Sequence, residues 1–384
     1  MKRILILRTA PFNANPRGYN VQEMGLAKAF CKMGYDVDWY SFKKGICETF
    51  TFYETGGCSA KCIEIPRTRI FRWGYNSTVL ENEFLSQYDI VVCFEYMQLM
   101  SYLIGRKIKT GILYSGPYYN LFTLKFISPL YDIICTKTIN NAFKGKFTKS
   151  VFAKQYMEKK GYTDINVVGV GLDVNRFNQE IPIKPDTQKL INYMRTHICI
   201  LYVGALSDRK NYPFLLDIYK KILEREPNVK FVIIGKSVNN PILKLIGKKD
   251  EDYAARYDST ISPVVKDGIT HIERIDNDQL KYIYPLSKAF LLPSKLEIFG
   301  MVLLESMYLG APVVSSRNGG SETLIEGKNT GLIVDEFDAD KWADAVMKYL
   351  KNSDYMDLVK KNAHRLIETE YNWDVIASKM ISEI

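Results

Sequence analysis

At 384 residues the chain is longer than one comfortable hydrophobic core and predicts two domains of ordinary size. Its apolar fraction of 47% and aromatic fraction of 13% exclude a long disordered tail. No apolar run approaches the ~20 residues of a membrane-spanning helix, and the net charge of +9 is unevenly spread.

Residues 4–7, Ile-Leu-Ile-Leu, read as a first buried strand. Arg8 follows after only four apolar residues, which argues against a signal peptide. In the loop 9–18, Gly18, preceded by Arg17, would admit a close backbone approach at the start of a helix. Residues 20–33 form an amphipathic helix, Gly34-Tyr35-Asp36 a turn, and 37–40 a second strand. Further strands are expected at 90–94, 110–114 and 133–136, a helix at 149–160 stopped by Gly161, and a strand at 165–170. The stretch 178–197 is polar, contains Pro182 and Pro185, and reads as a linker. The alternation then restarts with a strand at 198–203, a helix at 212–224, a strand at 230–234, a short helix at 279–284 and a strand at 289–292.

Alternation of this kind predicts an α/β chain of two Rossmann-like, doubly wound parallel-sheet domains. Two such halves imply a ligand cleft between them, at the carboxyl ends of the strands. The expected boundaries are 1–178 for the first domain, 179–196 for the linker, 197–370 for the second domain and 371–384 for a C-terminal helix. Seven cysteines and no export signal predict reduced thiols in a cytoplasm. Cys58 and Cys62 have the spacing of half a zinc site, but no second half accompanies them.

From Ser101 to Lys160 there are eleven basic residues and two acidic ones, Asp132 and Glu158, so this segment carries the whole charge excess. Interleaved aromatics, among them Phe122, Phe126, Phe143 and Phe147, add apolar grip. An anionic membrane surface, a nucleic-acid footprint and an ordinary solvated face all fit. No nucleic-acid motif accompanies the charges, which favours the membrane, with Lys144, Lys146 and Lys149 as the expected contacts.

The most informative stretch runs from Pro293 through Glu297, Phe299, Gly300, Met301 and Val302 to Glu305. A buried strand stops at a proline, a glycine opens a helix, and two glutamates stand eight residues apart. Strand, loop and helix N-terminus in this order make a site for an anion. The glutamates would repel phosphate but suit hydroxyl groups, because an ionised carboxylate only accepts hydrogen bonds. Together they describe a nucleotide-sugar site in which Glu305 holds the ribose and Glu297 the sugar. The same spacing also fits an amphipathic helix whose glutamates face water. Upstream, the strand at 198–203 runs into Gly204-Ala205-Leu206-Ser207-Asp208-Arg209-Lys210, which sets cations where a diphosphate leaving group needs them.

Glu297-x7-Glu305 with Phe299-Gly300 inside it, followed by Gly310-Ala311-Pro312, Gly319-Gly320-Ser321-Glu322 and Gly331-Leu332, resembles the signature of the retaining glycosyltransferases of family 4. The resemblance is strong over residues 200–376. It implies the GT-B fold, retention of anomeric configuration, and a C-terminal helix that crosses back onto the first domain. Lys210 takes the position of the family's phosphate-binding lysine, whereas Ala205 stands where the family has arginine, leaving Arg209 as a substitute cation. The loop 272–280, with Arg274, resembles the one over the nucleotide base. Gly319, Gly320 and Glu322 would shape the floor of the site. A family histidine that touches the donor sugar has no counterpart at Tyr114-Ser115-Gly116, so Ser115 or a backbone group is expected there.

These features predict an enzyme that moves a sugar from a nucleotide-sugar donor to a hydroxyl of a glycan or lipid-linked acceptor, in bacterial cell-surface polysaccharide synthesis. No metal or other cofactor is expected, since Lys210 and the helix beginning near Gly300 would stabilise the leaving diphosphate. The expected location is cytoplasmic, at the inner face of the plasma membrane if the basic segment binds lipid. A nucleotide-sugar epimerase on the same fold, or a basic nucleic-acid-binding protein, are the alternatives.

Overall fold

The structure, a computed structural model, describes residues 2–9, 15–16, 21–70, 73–108, 110–121, 127–237 and 253–384. The chain forms two compact units. One comprises Met1–Asp173 with Glu370–Ile384, the other Val174–Thr369.

In the first unit the strands are β1 (Arg3–Arg8), β2 (Asp36–Lys43), β3 (Thr49–Thr55), β4 (Cys58–Pro66), β5 (Thr68–Ile70), β6 (Trp73–Tyr75), β7 (Ile90–Phe94), β8 (Gly111–Ser115), β9 (Gly145–Thr148) and β10 (Ile165–Val167). Eight of them form one sheet in the order β10-β9-β8-β7-β1-β2-β4-β3, while β5 and β6 pair separately. The sheet is parallel except for β3, which runs antiparallel to β4 at the edge. Ile4, Leu5, Ile6 and Leu7 of β1 are all completely buried, as a central strand covered on both faces requires. Cys58 and Cys62 lie on one face of β4, four residues and so about 13 Å apart along the strand, too far for one metal ion.

The predicted strand at 133–136 is instead the middle of a helix, Ile127–Ala142. Tyr131, Cys135, Ile139 and Ala142 form its buried stripe, yet Ile133 and Ile134 on the other side are apolar too. An apolar run on both faces erases the 3.6-residue period, and what remains looks like a buried strand. The strand expected there is β9, whose Gly145-Lys146-Phe147-Thr148 has no apolar run to announce it.

The second unit contains β11 (Ile198–Val203), β12 (Val229–Ile234), β13 (Ile269–Ile272), β14 (Ala289–Leu292), β15 (Val313–Ser316) and β16 (Leu332–Val334). They form a wholly parallel sheet, β13-β12-β11-β14-β15-β16. Strand order reverses between β11 and β14, and at such a switch point the loops leaving the carboxyl ends diverge and open a crevice. Trp342, Tyr219, Tyr349 and Phe231 fill the core around it.

The expected linker is largely a helix of this unit, Pro185–Thr196. Pro185 sits in its first turn, where no amide hydrogen is needed, so the proline starts the helix instead of breaking it. Leu190, Ile191 and Met194 are buried, and the Lys184 amide donates to Gln279 Oε1 at 2.9 Å.

The chain ends in the Trp373–Ile381 helix, which belongs to the first unit. The Leu172 amide donates to the Tyr371 carbonyl at 2.8 Å, and Lys32 pairs with Asp374 at 2.7 Å. The Trp373 ring packs closely against two glycines. A Cβ on Gly25 would come within 2.1 Å of its ring, and one on Gly171 within 2.5 Å.

Candidate active site

Two loops leave the second sheet at its switch point, and the predicted residues lie on them. After β11 the chain passes Gly204 and Ala205 to Arg209 and Lys210, then enters the Tyr212–Arg225 helix. After β14 it passes Ser294 and Glu297 to Gly300, which opens the Met301–Tyr308 helix. The loops are joined where the Lys295 amide donates to the Arg209 carbonyl at 3.0 Å. Arg209 in turn donates to the Leu296 carbonyl at 3.1 Å.

Glu297 is the centre of this arrangement. Its Oε2 accepts from Arg209 Nη1 at 3.1 Å and also from Lys210 Nζ. The three side chains differ in burial: Lys210 and Glu297 are 10% and 12% exposed, Arg209 51%. Carboxylate and ammonium are thus largely withdrawn from water, and their attraction is correspondingly strong. The Glu297 carbonyl accepts from the Gly319 amide at 3.4 Å, bringing the start of the Gly319–Leu324 helix to the same loop.

Gly300 adopts φ +86°, a conformation that disfavours any side chain, and a Cβ there would meet Glu297 Cγ at 3.2 Å. It offers no side chain to cap the helix, whose positive dipole end lies at this loop. Met301 and Val302 in the first turn are half-buried, and Phe299 is buried. Glu305, on the inner side of this helix, is only 2% exposed and does not face water. Gly320 is packed against the Phe299 carbonyl so closely that a Cβ would sit 1.8 Å from its oxygen.

The remaining predicted residues are arranged differently. Glu322 is engaged by Arg317, whose guanidinium also reaches Asp335 at 2.6 Å and Glu326 at 3.0 Å. Hydrogen bonds to these carboxylates, from Asp335 first, hold Arg317 still more firmly charged than usual despite the opposing effect of burial. Arg274 is exposed and only 3.8 Å from Asp276. Gly18 lies outside the described residues. The Tyr202 phenol, kept protonated by burial, donates to the Ala205 carbonyl at 2.8 Å and fixes the loop where the family has arginine.

Sequence reading missed Arg317 and Asn318. Asn318 Oδ1 accepts from the amides of Gly320 and Ser321 at 3.0 and 3.1 Å, and Ser321 Oγ accepts from the Asn318 amide, closing a capping box. It also missed a cluster in the first unit at the carboxyl ends of β7, β8 and β9. Glu95, at φ +68°, accepts from Ser115 Oγ at 3.1 Å, the Gly116 amide at 2.9 Å and Lys149 Nζ at 2.9 Å. The Ser115 hydroxyl expected to meet a donor sugar is therefore turned to Glu95.

This cluster corrects the reading of 101–160 as one basic surface. Lys149 is buried against Glu95, and Lys160 pairs with Asp132. Lys146 is buried too, donating to the Phe143 carbonyl at 3.1 Å, and burial lowers its pKa. Of the three lysines expected to touch a membrane, only Lys144 is exposed.

Residues 189–373 match the family model described as glycosyl transferases group 1. An uncharacterised glycosyltransferase of Methanocaldococcus jannaschii is 24% identical over 389 residues, covering 95% of this chain and 93% of that protein. A Mycobacterium tuberculosis protein named as a GDP-mannose-dependent alpha-(1-6)-phosphatidylinositol monomannoside mannosyltransferase is 24% identical, over 62% of this chain and 59% of its own. Among solved structures, sucrose-phosphate synthase of Thermosynechococcus elongatus superposes with a TM-score of 0.70 at 17% identity, over 100% of this chain and 98% of that one. HepE of Anabaena, in complex with UDP and glucose, superposes at 0.66 with 15% identity, over 100% and 99%. The chain is a glycosyltransferase of the GT-B fold, and its residues 189–373 match the glycosyl transferases group 1.

Proposed function

We propose that the chain is a metal-independent, retaining glycosyltransferase of family 4. It transfers a sugar from a nucleotide-sugar donor to a hydroxyl of a glycan or lipid-linked acceptor, in the assembly of a cell-surface polysaccharide. The observation that carries this reading is the bonding of Lys210 and Arg209 to Glu297 beside the start of the helix that Gly300 opens. Two cations and a helix N-terminus can stabilise a departing diphosphate without a metal ion. Once phosphate oxygens occupy the cations, the Glu297 carboxylate is released to accept from hydroxyl groups of the donor sugar. Glu305 would accept from the ribose hydroxyls.

In the proposed step the bond from the sugar's anomeric carbon to the diphosphate oxygen breaks, leaving its electron pair on that oxygen. The acceptor oxygen bonds to the same face of the anomeric carbon and loses its proton to the departing phosphate. No protein nucleophile is used, so a trapped glycosyl–enzyme adduct would exclude this route. The mycobacterial relative's phosphatidylinositol mannoside supports a lipid-linked acceptor, and the UDP- and GDP-linked names of the relatives support a nucleotide-sugar donor.

The test is thermal unfolding in EDTA with UDP-, GDP-, ADP- and dTDP-sugars, on the wild type and Glu305→Ala. A donor at a hundred times its Kd stabilises by about 2.7 kcal/mol. One nucleotide should stabilise the wild type and not the variant. The same shift in both would remove Glu305 from the site, and no shift from any donor would reject the donor site itself. Turnover of the donor with no acceptor present would point to an epimerase.

A further inference from the structure

The Ile127–Ala142 helix is apolar on two faces, and the fold explains only one of them. On the inner face Tyr131, Cys135 and Ile139 are buried in the first unit's core, where the Tyr131 hydroxyl lies 2.7 Å from the Tyr96 carbonyl. On the outer face Leu130 is 57% exposed, Ile133 80% and Ile134 54%. At ~100° per residue, positions 130, 133, 134, 137 and 141 fall within a stripe about 100° wide. Lys137 and Asn141, both exposed, complete that stripe, and Lys144 is exposed two residues beyond the helix end. The helix's only carboxylate, Asp132, is taken by Lys160, which also donates to Ser128 Oγ at 3.0 Å. A single exposed isoleucine needs no explanation; three large aliphatic side chains on one stripe do.

We propose that this stripe docks the protein on an anionic bilayer surface. The helix lies in the plane of the interface, with Leu130, Ile133 and Ile134 at the acyl boundary and Lys137 and Lys144 among the headgroup phosphates. Charge selects lipid over a second copy of the chain. A two-fold contact through this stripe would bring Lys137 towards its own copy with no carboxylate of the helix to answer it, whereas phosphates answer it directly. The inference rests on the lipid-linked acceptor of the proposed function for its purpose, and on exposure and charge for its geometry.

The test is co-sedimentation with vesicles of phosphatidylcholine alone and of phosphatidylcholine with phosphatidylglycerol, together with the oligomeric state in solution. The wild type should bind the anionic vesicles and be released by salt, as screening of Lys137 and Lys144 requires. The double substitution Ile133→Glu, Ile134→Glu should weaken that binding by about tenfold or more. Because both residues are exposed, the doubly substituted protein should keep the wild-type thermal shift with donor, which separates failure of docking from failure of the transferase reading. A wild type indifferent to anionic vesicles, or a double variant that binds as well as wild type, overturns the proposal. So does a wild-type dimer that the double substitution splits.

Discussion

Glu297 is held by the two cations that a diphosphate would need, and this sets a competition at a single carboxylate. On the proposed reading a donor would displace it from Lys210 and Arg209, and only then would it be free for sugar hydroxyls. Removing its charge should therefore separate two effects that usually fall together. Glu297→Gln is expected to bind the free nucleoside diphosphate about three- to tenfold more tightly, since the cations are no longer neutralised in advance. The same variant should turn over at least ~100-fold more slowly, because the amide accepts hydroxyls less well. Calorimetric titration with the diphosphate, beside steady-state kcat, checks both, and weaker diphosphate binding would show that Glu297 does not compete for the cations. The places of Glu297 and Lys210, each on a loop between a strand and a helix, were legible in the sequence because neighbouring residues fix them locally. Arg317 and Glu95 were not. Arg317 matters through Asp335, 18 residues away, and Glu95 through Lys149, 54 residues away. Spacing within one segment holds no trace of such pairs.

Among the elements, the proposed chemistry falls on the loop and helix from β14 to Tyr308, and the glycines at the two ends of that helix allow a controlled test. Gly300 and Gly310 both have positive φ, +86° and +79°, so an alanine at either place strains the backbone. Their surroundings differ. A Cβ at Gly310 meets nothing within 4 Å, whereas one at Gly300 meets Glu297 at 3.2 Å. Gly300→Ala and Gly310→Ala should thus both lower Tm, while only Gly300→Ala should weaken the donor-induced shift. Equal loss of donor binding in both would mean that helix strain, not the contact with Glu297, governs the site. At this scale the parallel alternation was readable from the sequence, since strands such as Ile4–Leu7 and Ala289–Leu292 are short apolar runs between helical periods. Two elements misled because one cue served two structures. Pro185 begins a helix as readily as it breaks one, and the two apolar faces of Ile127–Ala142 resemble a buried strand. The antiparallel pairings of β3 with β4 and of β5 with β6 were invisible because β3, β5 and β6 are mostly exposed or half-buried and lack an apolar run.

The whole chain has two cores, and its connectivity is not the same as its sequence order. The last fifteen residues, Glu370–Ile384, return to the first unit, where Trp373 is 5% exposed against Gly25 of the Gln22–Lys32 helix and Gly171. Gly25 and Gly171 are required there because nothing larger leaves room for the indole, so the contact cannot be replaced by side chains from either segment. Trp373→Ala should create a cavity at the joint of three segments and cost about 3–5 kcal/mol. That cost belongs to one core only. Unfolding of a chain with two cores need not be a single transition, so one Tm would not locate the loss. Hydrogen exchange would locate it. Protection should fall in the Gln22–Lys32 helix and in β1 and β2, which pack on the affected joint, and stay unchanged in β11 to β16. Uniform loss of protection across both sheets would mean that the two cores unfold as one, and that the C-terminal helix supports more of the molecule than the unit it packs against.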